Sequence, residues 1–251
     1  MTGGQRDLLL PLLDLPGVAD AADAARVALG RAHRHRTNLR GWPVTAAESA
    51  VRGARSSSAL DGGGMSLDAA PGSTDPVLAG ALRVGQALEG GTTGLIGVWR
   101  RAPLQALARL HALAAADLVD GPHLGRPRPQ PEISPRLDLL TRLVTGASAV
   151  PAPVLAAVAH GELLTLAPFG SADGVVARAV SRLVAIASGL DPHGLGVPEV
   201  YWLRRAEQYR AAAAEFATGR PGGVGDWVLM CCRAMEDGAR EALSIADAAK
   251  T

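Results

Sequence analysis

The residues best suited to chemistry lie in a glycine-containing turn, Leu166–Arg178, that leads into a helical pattern. A bend of this kind presents free backbone N–H groups and the positive end of the helix dipole, which together favour a phosphate or another anion. Arg178 lies about one turn inside the predicted helix and would reach the same anion. The structural alternative is that Asp173 is the N-cap of this helix and Gly174 its first residue.

The same turn resembles, without a gap, the signature His-Pro-Phe-x-Asp/Glu-Gly-Asn-Gly-Arg-x-x-Arg of the Fic (Fido) family. Pro168, Phe169, Gly174 and Arg178 match that signature. The departures are Ala167 at the catalytic histidine, Ser171 at the magnesium-binding acid, Ala172 at the first glycine, Asp173 at the asparagine and Val175 at the first arginine, with Gly170 at the free position.

Other segments resemble landmarks of the family in the same order along the chain. Ser57-x-x-x-Asp61-Gly62 is similar to the inhibitory-helix motif Ser/Thr-x-x-x-Glu-Gly/Asn, with aspartate in place of glutamate. The others are Leu110-His111, Gly125-Arg126-Pro127-Arg128, Val158-Ala159-His160, Tyr201-Trp202 and Asp226-Trp227. The resemblance implies an all-α, Fic-like helical domain: an N-terminal helical region at 1–90 that carries the inhibitory-like motif, and a core at 91–251, forming one compact unit.

Members of the family typically transfer AMP from a nucleotide to a protein hydroxyl, with the histidine as general base and the acid as ligand of Mg²⁺. Ala167 cannot accept a proton, Ser171 is a weak ligand for a hard cation, and Val175 carries no charge. Loss of the base alone removes on the order of 10²–10⁴-fold in rate. The resemblance therefore implies a pseudoenzyme without a catalytic residue or a metal site, and it argues against Mg²⁺.

The predicted function is a binding or regulatory role in which the turn still takes an anion. A nucleotide phosphate is the candidate ligand, and the anion-binding residues would be Asp173, Gly174 and Arg178. The resemblance also implies that Asp61 pairs with Arg178, within an inhibitory-like motif of Ser57, Asp61 and Gly62. The proline-rich segment 121–135 would flank a groove for a protein or peptide partner.

Two alternatives from other functional classes stay open. The first is an active nucleotidyl- or phosphotransferase, in which Asp173 or a residue of a partner replaces the missing base. The second is a structural interaction module in which the turn has no ligand. His160, near Glu162, is a further candidate base, but it lies seven positions before Ala167 along helix and turn, and we favour a buried structural role.

Composition excludes several other classes of protein. The 251 residues are 48% hydrophobic, and 25 Lys+Arg against 24 Asp+Glu leave a net charge of +1, which gives no overall field for nucleic acid or lipid. Any basic partner site must be local, and His33-Arg34-His35-Arg36 is interpreted as a solvated helix end.

The adjacent cysteines, Cys231 and Cys232, fit a reducing cytoplasm. Arginine, alanine and glycine usage indicates a high-GC bacterial genome. We expect no nucleic-acid or membrane partner.

Apolar residues at three- and four-residue spacing predict helices throughout the chain. The predicted helices are Val18–Arg34, Thr45–Arg55 with a capping box of Thr45 and Glu48, Asp75–Glu89 with an Asp75 cap and Pro76 at the first position, Arg101–Asp120, Pro135–Thr145, Ala152–Leu164, Asp173–Ser188 closed by Gly189, Val197–Thr218 and Asp226–Ala249. Gly219–Gly225 is predicted to separate the last two helices. Trp42, Trp99, Trp202 and Trp227 are predicted to be core or interface anchors.

Overall fold

A computed structural model describes residues 7–67, 75–89 and 94–249. Within these ranges the chain is helical and has no strand, which confirms the all-α prediction. The α-helices are α1 Val18–His33, α2 Asn38–Leu60, α3 Pro76–Leu88, α4 Leu95–Arg101, α5 Pro103–Ala114, α6 Ile133–Arg142, α7 Ala152–Leu166, α8 Asp173–Ala187, α9 Pro198–Arg204, α10 Ala206–Ala217 and α11 Pro221–Ala248. None of the described helices is long and apolar enough to cross a bilayer.

Helix α7 forms the centre of the core, because it is apolar on nearly every side. It packs chiefly against α8, and also against α11 and α10. The close approach of α11 depends on Gly161, where a Cβ atom would lie 2.6 Å from Nε1 of Trp227. The buried cluster extends to α1, which lies along α11, and to α2, which packs on α3 and α9.

The start of α3 confirms the predicted cap. The Asp75 side chain accepts a hydrogen bond from the N–H of Leu78 at 3.0 Å, and Pro76 is the first helical residue. The fixed φ of proline suits this position, where the missing N–H is not needed. The predicted Gly189 terminus of α8 is also present, with Gly189 at φ +79°.

The start of α2 differs from its prediction, because the helix begins at Asn38 rather than at Thr45. Thr45 is buried inside the helix, and its hydroxyl donates to Oδ1 of Asn38 at 2.8 Å instead of capping an N–H. The capping box of Thr45 and Glu48 is therefore wrong. Pro43 lies within the helix and is one reason why the sequence pattern suggested a later start.

Other boundaries also differ from the sequence predictions: α2 ends at Leu60 rather than at Arg55, and α5 ends at Ala114 rather than at Asp120. The predicted helix 101–120 is divided at Ala102, because Pro103 forces the preceding residue out of the helical region and begins a new helix. The predicted helix 197–218 is divided at Arg205, which has φ −129°. Residues 221–225, predicted as a linker, belong to α11, which Pro221 initiates despite three glycines.

Trp99, Trp202 and Trp227 are buried, as predicted, whereas Trp42 remains 36% exposed. The sequence also predicts a flexible connection that ends at Pro71-Gly72-Ser73 and a helix end at Gly90-Gly91. Both, like the single lysine, Lys250, lie outside the described residues.

Candidate functional site

The turn between α7 and α8 has an unusual backbone. Ala167 and Ala172 have φ values of 45° and 50°, and among the described residues they are the non-glycine residues with positive φ. Gly170 between them has φ +76°. The left-handed region costs an alanine about 1 kcal/mol, so contacts from other parts of the protein must hold the turn in place.

Asp173 provides one of these contacts, and it is not the N-cap predicted from the sequence. The left-handed Ala172 occupies the cap position, so that α8 begins at Asp173 itself. The carboxylate of Asp173 accepts from the N–H of Phe169 at 2.9 Å and so ties the turn together. Burial raises the pKa of Asp173, although the hydrogen bonds from Phe169 and Gly170 oppose this shift.

Arg128 binds the turn from the opposite side. Its guanidinium donates to the carbonyl of Ala167 at 2.7 and 3.1 Å and to that of Leu166 at 3.3 Å, and its own N–H donates to the carbonyl of Pro168 at 2.8 Å. A cation at the carboxyl end of α7 also interacts favourably with the helix dipole. The proline-rich segment 121–135 is thereby attached to the turn.

His111 on α5 holds the same region through both ring nitrogens. Nδ1 accepts from the N–H of Gly125 at 2.9 Å, so Nε2 carries the proton and donates to the hydroxyl of Ser171 at 3.0 Å. The ring stacks on Phe169 with the centroids 4.1 Å apart. Burial lowers the pKa of His111. At the position where the resemblance expects a magnesium-binding acid, the chain therefore has a hydroxyl that is already bound to a histidine.

Arg178 on α8 is buried, with 1% of its side chain exposed, and the end of α2 satisfies most of its donors. Nε donates to Oγ of Ser57 at 2.8 Å, and Nη2 donates to the Ser57 carbonyl at 3.0 Å. Nη2 also lies 2.7 Å from Oδ1 of Asp61. The ion pair predicted between Asp61 and Arg178 is therefore present.

The carboxylate of Asp61 also lies against the start of α8. A Cβ atom at Gly174 would be 2.5 Å from each of its two oxygens, so the absence of a side chain at Gly174 makes room for it. Gly62 explains why the carboxylate reaches this point. With φ +82° it ends α2 directly after Asp61, and the N–H of Gly63 donates back to the Ser58 carbonyl at 2.9 Å.

Tyr209 and His160 extend these contacts into the core. The hydroxyl of Tyr209 lies 3.5 Å from Nη1 of Arg178 and 2.8 Å from Nε2 of His160. His160 is fully buried among aromatic rings, and burial together with the charge of Arg178 holds its pKa well below the usual 6.5. These contacts support the structural role for His160, and the neighbouring Glu162 is paired with Arg136 at 2.5 Å.

No family model matches this chain, and no curated protein is significantly similar to it in sequence. The likeness to the Fic family therefore rests on the motifs named above. What the structure adds is their spatial arrangement, because Ser57, Asp61, Gly174 and Arg178 converge at one place although up to 121 residues separate two of them in sequence.

Some residues that build the site had little or no signal in the sequence. Tyr209 could not be recognised in the sequence, because a tyrosine in a predicted helix looks like an ordinary core residue. Arg128 and His111 belonged to motifs of the resemblance, but their contacts with the turn were not predicted. The run at 33–36 is not a fully solvated helix end, because His33 and His35 lie 2.7 and 3.4 Å from carboxylates of Asp191 and Asp247.

Proposed function

We propose that this chain is a catalytically degenerate, Fic-like protein with a binding or regulatory role, in which the start of α8 binds a phosphate group of a ligand, a nucleotide being the candidate. The observation that carries the proposal is the position of the Asp61 carboxylate. It contacts Arg178 and lies against Gly174, which is where an external anion would be held. Asp61 would then be the resident anion with which a ligand competes.

The surroundings of Asp61 support such an exchange. Its side chain is 25% exposed, whereas Arg178 is 1% exposed, so the carboxylate can leave toward solvent while the guanidinium stays. The exchange keeps the buried charge balanced, because a phosphate oxygen replaces a carboxylate oxygen at the same cation. Gly62 follows directly, and a Cβ atom there would meet nothing within 4 Å, so no side chain packs over this side of the turn.

Chemistry of the usual family type is not supported by the side chains of the turn. Ala167 provides no base, Ser171 is bound to His111, and His160 is enclosed in the core. Asp173 has a raised pKa, which would suit a base, but its carboxylate is engaged with the turn backbone. We therefore place the transferase alternative second.

Calorimetry with ATP, ADP and CDP, each with and without Mg²⁺, tests the binding proposal. We expect Asp61→Ala to bind nucleotide about tenfold or more tightly than the parent chain, because the competing carboxylate is gone. Arg178→Ala should abolish binding, and Mg²⁺ should have little effect. Asp75→Ala is the matched control, since it removes an aspartate from the start of α3 and should leave the affinity unchanged.

Arg178→Ala removes a buried side chain and can fail to fold, so a second variant is needed. Gly174→Ala in the Asp61→Ala background adds one methyl group at the proposed phosphate position and changes no charge. Equal nucleotide affinity with and without that methyl group would contradict the proposed position of the phosphate beside Gly174. An absence of nucleotide binding to folded Asp61→Ala protein would contradict the proposal as a whole.

Labelled-nucleotide transfer onto lysate proteins separates the transferase alternative. We expect no labelling by the parent chain. Labelling that Asp173→Ala removes would favour an active transferase, whereas silence in both the calorimetric and transfer assays would favour the structural module.

A further inference from the structure

A local basic surface lies at the corner where α1 passes into α2. Residues 24–47 contain no Asp or Glu but five arginines. Four of these arginines are exposed and form no ion pair within the part of the chain that the structure describes: Arg31, Arg34, Arg36 and Arg40. Four unpaired guanidinium groups on one helical corner give a local positive field in a chain whose net charge is only +1.

Large apolar side chains project from the same corner. Leu39 is 66% exposed and Val44 is 69% exposed, the two highest values among the large hydrophobic residues that the structure describes. Leu39, Arg40, Pro43 and Val44 fall on one face of α2, since 3.6 residues complete each turn. Trp42 lies at the border of this face and is 36% exposed.

We propose that this corner, residues 31–44, is a docking surface for an anionic lipid bilayer. An interfacial helix combines projecting apolar residues with flanking arginines, and the arginines gain from the negative surface potential of the membrane. The proposal revises the expectation of no membrane partner, and it concerns contact with the membrane surface. It does not depend on the proposed anion site.

The shape and chemistry of the corner favour a lipid bilayer over the two alternatives, a helix of a partner protein and a nucleic acid. Side chains that are two-thirds exposed project outward and do not line the groove that a partner helix would need. Leu39 and Val44 gain nothing from a phosphodiester backbone. The Trp42 ring is already stacked on the His193 ring at 4.1 Å and 9°, so it offers at most one face for stacking on a base.

The acids nearest the corner do not pair with its four exposed arginines. Asp191 is buried and accepts from the N–H groups of Leu195 and Gly196 as well as contacting His33. Asp247 faces His35 at 3.4 Å. Glu48, on the next turn of α2, is paired with Arg52 at 2.6 Å. Asp191 and Asp247 thus face histidines of the corner and Glu48 faces Arg52, so the four arginines have no carboxylate partner among the described residues.

Co-sedimentation of the full chain with vesicles tests the proposal. We expect binding to vesicles of phosphatidylcholine and phosphatidylserine at 7:3, and little binding to phosphatidylcholine alone. Arg36→Gln with Arg40→Gln should weaken partitioning by about fivefold for each arginine. Leu39→Ser with Val44→Ser should weaken it by about tenfold, because the apolar anchors are lost. Raising NaCl from 0.1 to 0.5 M should release the protein.

Matched controls change the same residue types elsewhere. Leu8→Ser with Leu104→Ser alters exposed leucines outside the corner, and Arg101→Gln with Arg220→Gln alters exposed arginines outside it; neither pair should change partitioning. Equal sedimentation with both kinds of vesicle, or no sedimentation, would overturn the proposal. Binding that needs the arginines but not Leu39 and Val44 would also overturn it, and salt-sensitive binding of a DNA duplex by the serine variant would identify a nucleic-acid surface instead.

Discussion

The starts of α3 and α8 each face an aspartate, but the two carboxylates have different origins. Asp75 directly precedes α3 and accepts from the N–H of Leu78 at 3.0 Å within the same helix. Asp61 comes from the end of α2 and reaches Arg178 on α8 at 2.7 Å. A local cap cannot leave without fraying its own helix, whereas a carboxylate from another element can be exchanged for a ligand.

The two aspartates also differ in the charge that they balance. Asp75 stabilises the partial positive charge of backbone N–H groups. Asp61 faces a full positive charge on a buried guanidinium, which Tyr209 connects to His160. The same residue type therefore completes a helix in one place and neutralises an ion in the core in the other.

Substitution of Asp61 should have the largest effect on stability. Asp61→Ala leaves the buried guanidinium of Arg178 without a counter-charge, and we expect the free energy of unfolding to fall by about 2–3 kcal/mol, discounted from the loss for a fully buried pair because Asp61 is partly exposed. Millimolar phosphate should restore part of the loss. Urea unfolding with and without phosphate measures both effects.

Asp75→Ala provides the comparison for this prediction. It removes one capping bond and should lower the free energy of unfolding by about 1 kcal/mol, with no response to phosphate. Equal losses in the two variants, or an equal response to phosphate, would mean that Asp61 acts as an ordinary local cap and that the difference between the two helix starts has no functional meaning.

Local signals in the sequence predicted the start of α3, whereas the start of α8 needed more than local signals. Asp75 followed by Pro76 is a cap that adjacent residues define completely. At α8 the same reasoning made Asp173 the cap, and it was wrong because Ala172 adopts a left-handed conformation that its sequence does not suggest. Tertiary contacts from Arg128 and His111 hold that conformation, and single-sequence patterns do not contain such contacts.

The pairing of Asp61 with Arg178 was predictable only through a resemblance between motifs. Helical periodicity gives the faces of α2 and α8, but it does not say which residues of the two helices meet. Helix existence was predicted well where apolar spacing is regular, as in α1, α7 and α8. The predicted helix boundaries were wrong where a proline had an unexpected effect. A proline begins α5 and another begins α11, and a third lies inside α2.

Acid pH should separate the two helix starts further, because only α8 is linked to a buried histidine. Burial and the nearby Arg178 hold the pKa of His160 well below 6.5 in the folded state. In the unfolded chain this histidine binds a proton below about pH 6.5. The contribution of His160 to the free energy of unfolding is therefore constant above that pH and falls as the pH drops below it. We expect a slope of up to about 1.4 kcal/mol per pH unit from this residue.

His160→Gln should remove that share of the slope between pH 6.5 and 5, as measured by urea unfolding at several pH values. His111, whose pKa burial also lowers, should retain its own contribution. His123→Gln, at an exposed position, is the matched control and should leave the slope unchanged. A slope that persists in full after His160→Gln would mean that His160 is already protonated in the folded protein.

The smallest expected effect concerns the residue that precedes each helix. Ala172 before α8 has φ 50°, whereas Ala102 before α5 has φ −148°. Ala172→Gly should therefore relieve strain and raise the free energy of unfolding by about 0.5 kcal/mol, while Ala102→Gly should lower it by a similar amount, because glycine gives the unfolded chain more freedom. Thermal unfolding of the two variants should shift in opposite directions. Shifts of the same sign would show that the contacts of Arg128 and His111 depend on the alanine at position 172, and that the left-handed turn is not a source of strain.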